Sequence, residues 1–390
     1  MNPRNPYDYE VSFDQHVWLP AAAQTYRSIV DLIDDRGAID RLINRHLKPA
    51  VGRDPEPLAT EKILLRLSED ELTEVRRALE ARGEHAYSQN MLVFASFHYP
   101  DLRSRLGTSV KNPPDHIHRM QKSDYYIGDI YSADLVATTL SRCNLGLEPD
   151  CVYLDFGCSS GSLIRVLQAA APEASFHGVD PVRSSIEWAS QNIERATFAV
   201  SNISPPLAYE SGQFRGVTAI SIWSHLGQVE ALAWFNEMHR VIQPGGWLLF
   251  TAHGESSICH YNAIELFAPR RILALLEGIV NSDFVFEEVY LGKSPEGLSA
   301  AGYGNVYFRR AWIERWLGDK WEIVYFGEAE NQRNQDVYVL RKRPPEVGTF
   351  QAARLTNSYM SRVLSRLSWI VASIEPIWGK RTAQGLPKIV

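Results

Sequence analysis

In this 390-residue chain, an acid before a small-residue turn and two later histidines are the groups best placed by type and spacing to do chemistry. Asp155 closes an apolar run that starts at Val152. Gly157-Cys158-Ser159-Ser160-Gly161 follows, and then Leu163, Ile164, Val166 and Leu167 recur at helical spacing. The implied order is strand, tight turn, helix. Such a turn aims backbone N–H groups and the positive end of a helix dipole at a negative group on a ligand. Taken literally, Gly157-x-Ser159-x-Gly161 is also a nucleophile elbow, with Ser159 as a hydrolase nucleophile. It lies one glycine short of the G-x-G-x-x-G dinucleotide turn as well. His225 and His253 are candidate general bases, because imidazole titrates near neutrality and can take a proton from a hydroxyl.

These groups need strands to position them. Ser175 to Asp180 reads as a second strand that ends in an acid, suited to accept hydrogen bonds from two ribose hydroxyls. Thr197 to Val200 reads as a third strand leading to Asn202, and Gly216 to Ile222 as a fourth leading to Trp223-Ser224-His225-Leu226. Ala231 to Ile242 has the spacing of an amphipathic helix, Gln243-Pro244-Gly245-Gly246 is a turn, and Trp247 to Thr251 reads as a fifth strand. His225 and His253 therefore follow the fourth and fifth strands, at the edge where open α/β sheets bind ligands.

This order resembles the class I, Rossmann-like S-adenosylmethionine-dependent methyltransferases. The resemblance is carried by LDFGCSSG at the turn, GVDPVRSSIEWA at the second strand, SIWSHL after the fourth, and RVIQPGGWLLFTAHG across helix, turn and fifth strand. It implies an α/β fold: a seven-stranded, mostly parallel sheet with helices on both faces, whose last strand is antiparallel. It also implies S-adenosyl-L-methionine as the cofactor. Asp155 and the turn residues Gly157, Cys158, Ser159 and Gly161 are then expected at the methionine end of the donor. Asp180 with Pro181 is expected at the ribose, Asn202 at the adenine edge, and Ser221, Ile222 and Trp223 at the methionine portion from the far side. Tyr126, in the segment before the first strand, is expected to touch the carboxylate or roof the donor. The chain departs from the family pattern twice. Ser159 stands at the middle glycine, where a Cβ crowds the donor unless φ is negative, and Arg215 stands where an acid is common. The expected activity is methyl transfer to a small molecule, at oxygen of a sugar, glycolipid precursor or secondary metabolite. A scaffold that keeps the fold without catalysis is the competing reading.

The chain has 45% hydrophobic and 22% charged residues and a formal net charge of −6. That balance is typical of soluble globular proteins and argues against nucleic acid as a partner. No apolar run is long enough to span a bilayer, and the first residues carry no basic region followed by an apolar core. Cys143, Cys151, Cys158 and Cys259 form no regular framework, so a cytoplasmic location is expected. His116 and His118 form no complete metal shell. Three regions are expected. Residues 1–122 form a mainly helical appendage or lid. Residues 123–345 form the methyltransferase domain, with an acceptor-side insertion at about 255–320. Residues 346–390 form a basic amphipathic tail. From Gln351 onward that tail holds six Lys or Arg against Glu375 alone. It is suited to a membrane surface, to a second subunit, or to docking on its own domain.

Overall fold

Alternation along the strands decides how the sheet is covered. In the computed structural model, which describes residues 36–47, 50–117, 125–289 and 302–344, the strands are β1 (Val152–Phe156), β2 (Ser175–Asp180), β3 (Ala196–Val200), β4 (Phe214–Ala219), β5 (Ile242–His253), β6 (Phe284–Glu287), β7 (Asn305–Phe308), β8 (Trp321–Asn331) and β9 (Gln335–Lys342). Tyr153, Phe176, Trp247, Leu249 and Val339 join one buried cluster, and their neighbours Leu154, Leu248, Phe250, Tyr338 and Leu340 join another. Side chains on a strand point alternately to opposite faces, so each face needs its own cover.

Helices supply that cover. Before β1 come α1 (Arg36–His46), α2 (Leu58–Leu64), α3 (Glu69–Glu80), α4 (Ser88–His98), α5 (Pro100–Leu106) and α6 (Ile130–Arg142). Among the strands lie α7 (Ser162–Ala170), α8 (Arg183–Asn192), α9 (Gln228–Val241), α10 (Glu255–Ala263), α11 (Pro269–Ser282) and α12 (Arg310–Leu317). Apolar residues of α2 to α7 share the first cluster, whereas those of α9 and α12 share the second. A third cluster joins Ile39, Leu42 and Ile43 of α1 to Ile258 of α10 and Ile272 and Leu275 of α11. Ser68 opens α3 with a capping box. Ser68 Oγ accepts the Glu71 N–H at 3.3 Å, and Glu71 Oε2 accepts the Ser68 N–H at 2.8 Å.

The parallel run is β3-β2-β1-β4-β5, and β9 pairs antiparallel along β5 with β8 outside it. These seven strands match the expected sheet. β6 and β7 are additional: they form an antiparallel pair that joins β5 through His253 and Tyr307. β4 pairs with β5 only as far as Ala219 and Phe250, so β7 takes up the same edge of β5 beyond the end of β4.

Two element assignments differ from the sequence reading. β4 stops at Ala219 rather than Ile222, because Ser221 has φ +62°, a left-handed value that a strand cannot hold. β5 begins at Ile242 rather than Trp247 and takes in the expected turn Gln243 to Gly246, because Ile242 already pairs with Phe214 of β4. Among the described residues no helix is long and apolar enough to cross a membrane, and no group of three or more His, Cys, Asp or Glu is arranged to hold a metal. His118, residues 290–301 of the expected acceptor-side insertion, and the tail from residue 346 lie outside the described residues.

Candidate active site

The turn after β1 is a left-handed staircase: φ is +79° at Gly157, +48° at Ser159 and +75° at Gly161. Gly157 must be glycine for a second reason, because a Cβ there would lie 2.1 Å from Ile222 Cδ1. Ser159 thus has the positive φ that the expected fit excluded. Its N–H donates to Asp180 Oδ2 at 2.9 Å, and the Val182 N–H donates to Asp180 Oδ1 at 2.8 Å. A carboxylate that accepts two backbone N–H groups is fixed in place. Asp180 is 8% exposed. Pro181 beside it is half-buried and Asn202, past β3, is exposed.

Asp155 lies beneath the turn, where its Oδ1 accepts the Thr218 hydroxyl of β4 at 2.8 Å. Burial pushes its carboxyl up to about 7, against the Thr218 hydrogen bond, with Asp129 and Asp180 adding to the rise. Cys158 is buried, with its sulfur against Gly178 of β2, and burial drives its thiol well above the ordinary range. Only its backbone is available to a ligand. Tyr126 packs over the Arg165 guanidinium, 6.0 Å from Cζ to ring centroid, and burial raises its hydroxyl to about 12. Arg215 lies at the far end of β4, where it donates to both carboxylate oxygens of Glu148 at 3.1 and 2.9 Å. Its departure from the family pattern is a structural ion pair.

Trp223 departs from expectation. Its side chain is fully buried, stacked on Phe235 at 4.4 Å, and its indole N–H donates to the Ala231 carbonyl at 3.3 Å. It belongs to the core between sheet and α9, because a large ring just past a strand end gains more by packing on apolar neighbours than by facing a cleft. Ser221 and Ile222 remain at the turn, opposite Gly157.

The two histidines separate clearly. His225 Nδ1 lies 2.9 Å from the Gly304 carbonyl. A carbonyl only accepts, so Nδ1 carries a proton. The ring stacks on Tyr303 at 5.2 Å and is half-buried. Segment 302–306 is stitched to the loop after β4 by Gly227 N–H to Gly302 O at 2.7 Å, Gly304 N–H to His225 O at 2.9 Å and Val306 N–H to Ser224 O at 2.8 Å.

His253, by contrast, is covered by β7 and is 8% exposed. Its Nε2 lies 3.2 Å from the Tyr261 hydroxyl and 3.3 Å from Gln335 Nε2, while its ring stacks on Tyr307 at 5.2 Å. Burial, aided by His225, lowers it to about 3. A neutral imidazole whose basic nitrogen faces two donors is a poor base, so the expectation for His253 is corrected. The cause is a β7 pairing that no motif announces.

Ser159 forms no hydrogen bond to a histidine among the described residues, which leaves the hydrolase elbow without its base. Two clefts of about 290 and 320 Å3 lie elsewhere, one lined by Lys62, Arg66 and Glu173 and the other by Arg310, Trp321 and Arg343. None of the candidate residues lines either.

The fold is a Rossmann-like α/β sheet with a left-handed, glycine-bearing turn at the carboxyl end of β1. Residues 154–246 match the methyltransferase-domain family model. Among solved structures, the chain is similar to a methyltransferase from Methanosarcina mazei described as S-adenosylmethionine-dependent, at 22% identity over 50% of this chain and 94% of that one, TM-score 0.36. It is also similar to magnesium protoporphyrin IX methyltransferase from Synechocystis PCC 6803 with bound S-adenosylhomocysteine, at 18% identity over 54% and 82%, TM-score 0.36. A third is the N-methyltransferase NodS from Bradyrhizobium japonicum WM9, also with S-adenosylhomocysteine, at 14% identity over 54% and 87%, TM-score 0.34. The methyltransferase-domain match thus lies within a Rossmann-like strand order.

Proposed function

We propose that the chain methylates a hydroxyl group of a small molecule, with His225 as the general base. The observation that carries this reading is the place of His225, whose Nδ1 lies 2.9 Å from the Gly304 carbonyl and whose half-buried ring stands at the ligand edge of the sheet. S-adenosylmethionine, when bound, supplies an electrophilic methyl group on sulfur.

The residues fit that donor. Asp180, held by the N–H groups of Ser159 and Val182 at the end of β2, would meet the ribose hydroxyls. Asp155 would favour the donor's ammonium group, and Gly157 and Gly161 let Ile222, Ile193 and Phe198 pack closely against the turn. Pro181 and Asn202 would border the ribose and adenine, with Tyr126 near the start of α7. On the acceptor side, His225 orients the hydroxyl and takes its proton as the C–O bond forms, so the acceptor need not leave as a high-energy oxonium ion. Sugars, glycolipid precursors and phenolic or polyol metabolites have suitable hydroxyls. The N-terminal helices, as part of the same apolar cluster as the sheet, would serve as scaffold for this site.

The test is release of S-adenosylhomocysteine across a panel of sugar, glycolipid, phenol and amine acceptors. With a responsive acceptor, His225→Phe keeps the stack on Tyr303 and should lower kcat by roughly 10²–10⁴-fold. A loss smaller than about tenfold would leave transfer by proximity alone.

A further inference from the structure

The polar cluster between the ends of β4 and β5 and the β8–β9 turn centres on a residue that no motif marks. Gln335, the first residue of β9, is buried. Its Oε1 accepts the Thr251 hydroxyl at 2.7 Å and Asn331 Nδ2 at 2.9 Å. Two donors on the oxygen fix the orientation of the amide. Its Nε2 therefore donates to Ser221 Oγ at 2.7 Å and faces Ser224 Oγ at 3.2 Å. Thr251 Oγ1 in turn accepts the Ser221 N–H at 2.8 Å.

Ser221 is thus gripped by backbone and by side chain, and its conformation requires it. At φ +62° it sits in the left-handed region, which costs a residue with a Cβ about 1–2 kcal/mol. The next residue, Ile222, is the one that meets Gly157 across the site. The placement of the Ser221 turn therefore sets the separation between that turn and the glycine-rich loop.

The β8–β9 turn that delivers Gln335 is itself tied down. The Tyr131 hydroxyl of α6 accepts the Gln332 N–H at 2.7 Å and donates to the Glu330 carbonyl at 3.3 Å, and Arg333 pairs with Asp54 at 2.8 Å.

We propose that Gln335 is a positioning residue for the methyl donor. By clamping the Ser221 turn it fixes the seat of the donor's amino-acid arm without touching the donor. This role rests on the donor-site reading above.

The test is calorimetric titration of the full chain with two probes: S-adenosylhomocysteine, and methylthioadenosine, which keeps the nucleoside and sulfur but lacks the amino-acid arm. Gln335→Met keeps length and bulk and removes every hydrogen bond. Thr251→Val is the second variant, and it removes the hydroxyl that links Gln335 to the Ser221 N–H. Both should bind S-adenosylhomocysteine about tenfold more weakly, the size of one or two lost hydrogen bonds. Both should bind methylthioadenosine within about twofold of the parent. Equal losses for the two probes would indicate general loosening and overturn the proposal, as would undiminished affinity for S-adenosylhomocysteine. A parent chain that binds neither probe would instead overturn the donor-site reading, and the inference with it.

Discussion

The two sides of this site are held by different kinds of bond. On the β1–β2 side the anchors are main-chain groups close in sequence: the N–H groups of Ser159 and Val182 on Asp180, and the Gly157 and Cys158 N–H groups on the Val179 carbonyl at 2.8 and 3.0 Å. On the β4–β5 side the anchors are mostly side chains that meet across long stretches of chain. Thr251 and Gln335 are separated by 84 positions and Ser221 and Gln335 by 114. Main-chain anchoring demands only a conformation, which glycine and an acid at a strand end supply. Side-chain anchoring demands that several segments arrive in register, and β9 meets that demand by pairing along the length of β5.

The largest expected effect follows from the local side. Asp180→Ala frees two N–H groups and removes the carboxylate proposed to hold the ribose, so affinity for S-adenosylhomocysteine should fall by at least roughly 100-fold, because charge-assisted hydrogen bonds are worth about 1.5–3 kcal/mol each. Calorimetry reads this directly. A loss below about tenfold would mean that the main-chain side does not organise the ligand, and the contrast between the two sides would collapse.

A smaller effect, on stability, should come from two buried carboxyls, one on each side. Burial raises Asp155 to about 7. Asp336 is also raised to about 7 by burial, opposed by the Ala329 N–H that it accepts at 2.9 Å. Unfolded, each titrates near 3.9. Between roughly pH 4 and 7 the folded chain therefore holds more protons than the unfolded chain, and stability falls as pH rises through that window. Chemical denaturation of the ligand-free protein should show a loss on the order of 1–3 kcal/mol per carboxyl between pH 5 and 8. Asp336→Asn should flatten part of that slope. An unchanged slope in the variant would assign the pH dependence to the β1 side alone.

His253→Ala should sharpen the same contrast. It removes a ring packed between Tyr307 and Tyr261 and should cost about 2–3 kcal/mol on unfolding in urea. With a responsive acceptor, kcat should drop by less than about tenfold, unlike the His225 variant. A loss of 10²-fold or more at unchanged stability would return His253 to the role of base.

This division also explains what could be read from the sequence. The acid that ends β2, the glycine-rich turn and the first five strands were legible, because period-2 alternation and left-handed turns leave marks within a few residues. Asp155 is the penultimate residue of β1 and Asp180 the last of β2, and Gly157 and Gly161 lie in the loop between β1 and α7. Gln335, Thr251 and Asn331 left no mark, since a buried Gln or Thr on a strand looks like any other until the register of β9 on β5 is known. Trp223 and His253 were misjudged for a related reason. Each follows a strand end, but α9 covers the first and β7 the second, and burial by a distant segment is not written in local spacing.

The smallest expected effect tests the one irregularity on the local side. Ser159 holds φ +48° in a position that suits glycine. A left-handed conformation costs a residue with a Cβ about 1–2 kcal/mol, whereas a glycine adds roughly 0.5–1 kcal/mol of backbone entropy lost on folding. Ser159→Gly should therefore raise stability slightly, by about 0.5 kcal/mol, and leave the N–H to Asp180 in place. Affinity for S-adenosylhomocysteine should stay equal or rise by a few-fold as the Cβ leaves the turn. A clear fall in affinity would show that the Ser159 hydroxyl itself binds the donor, and the β1–β2 side would then share the side-chain anchoring seen across the site.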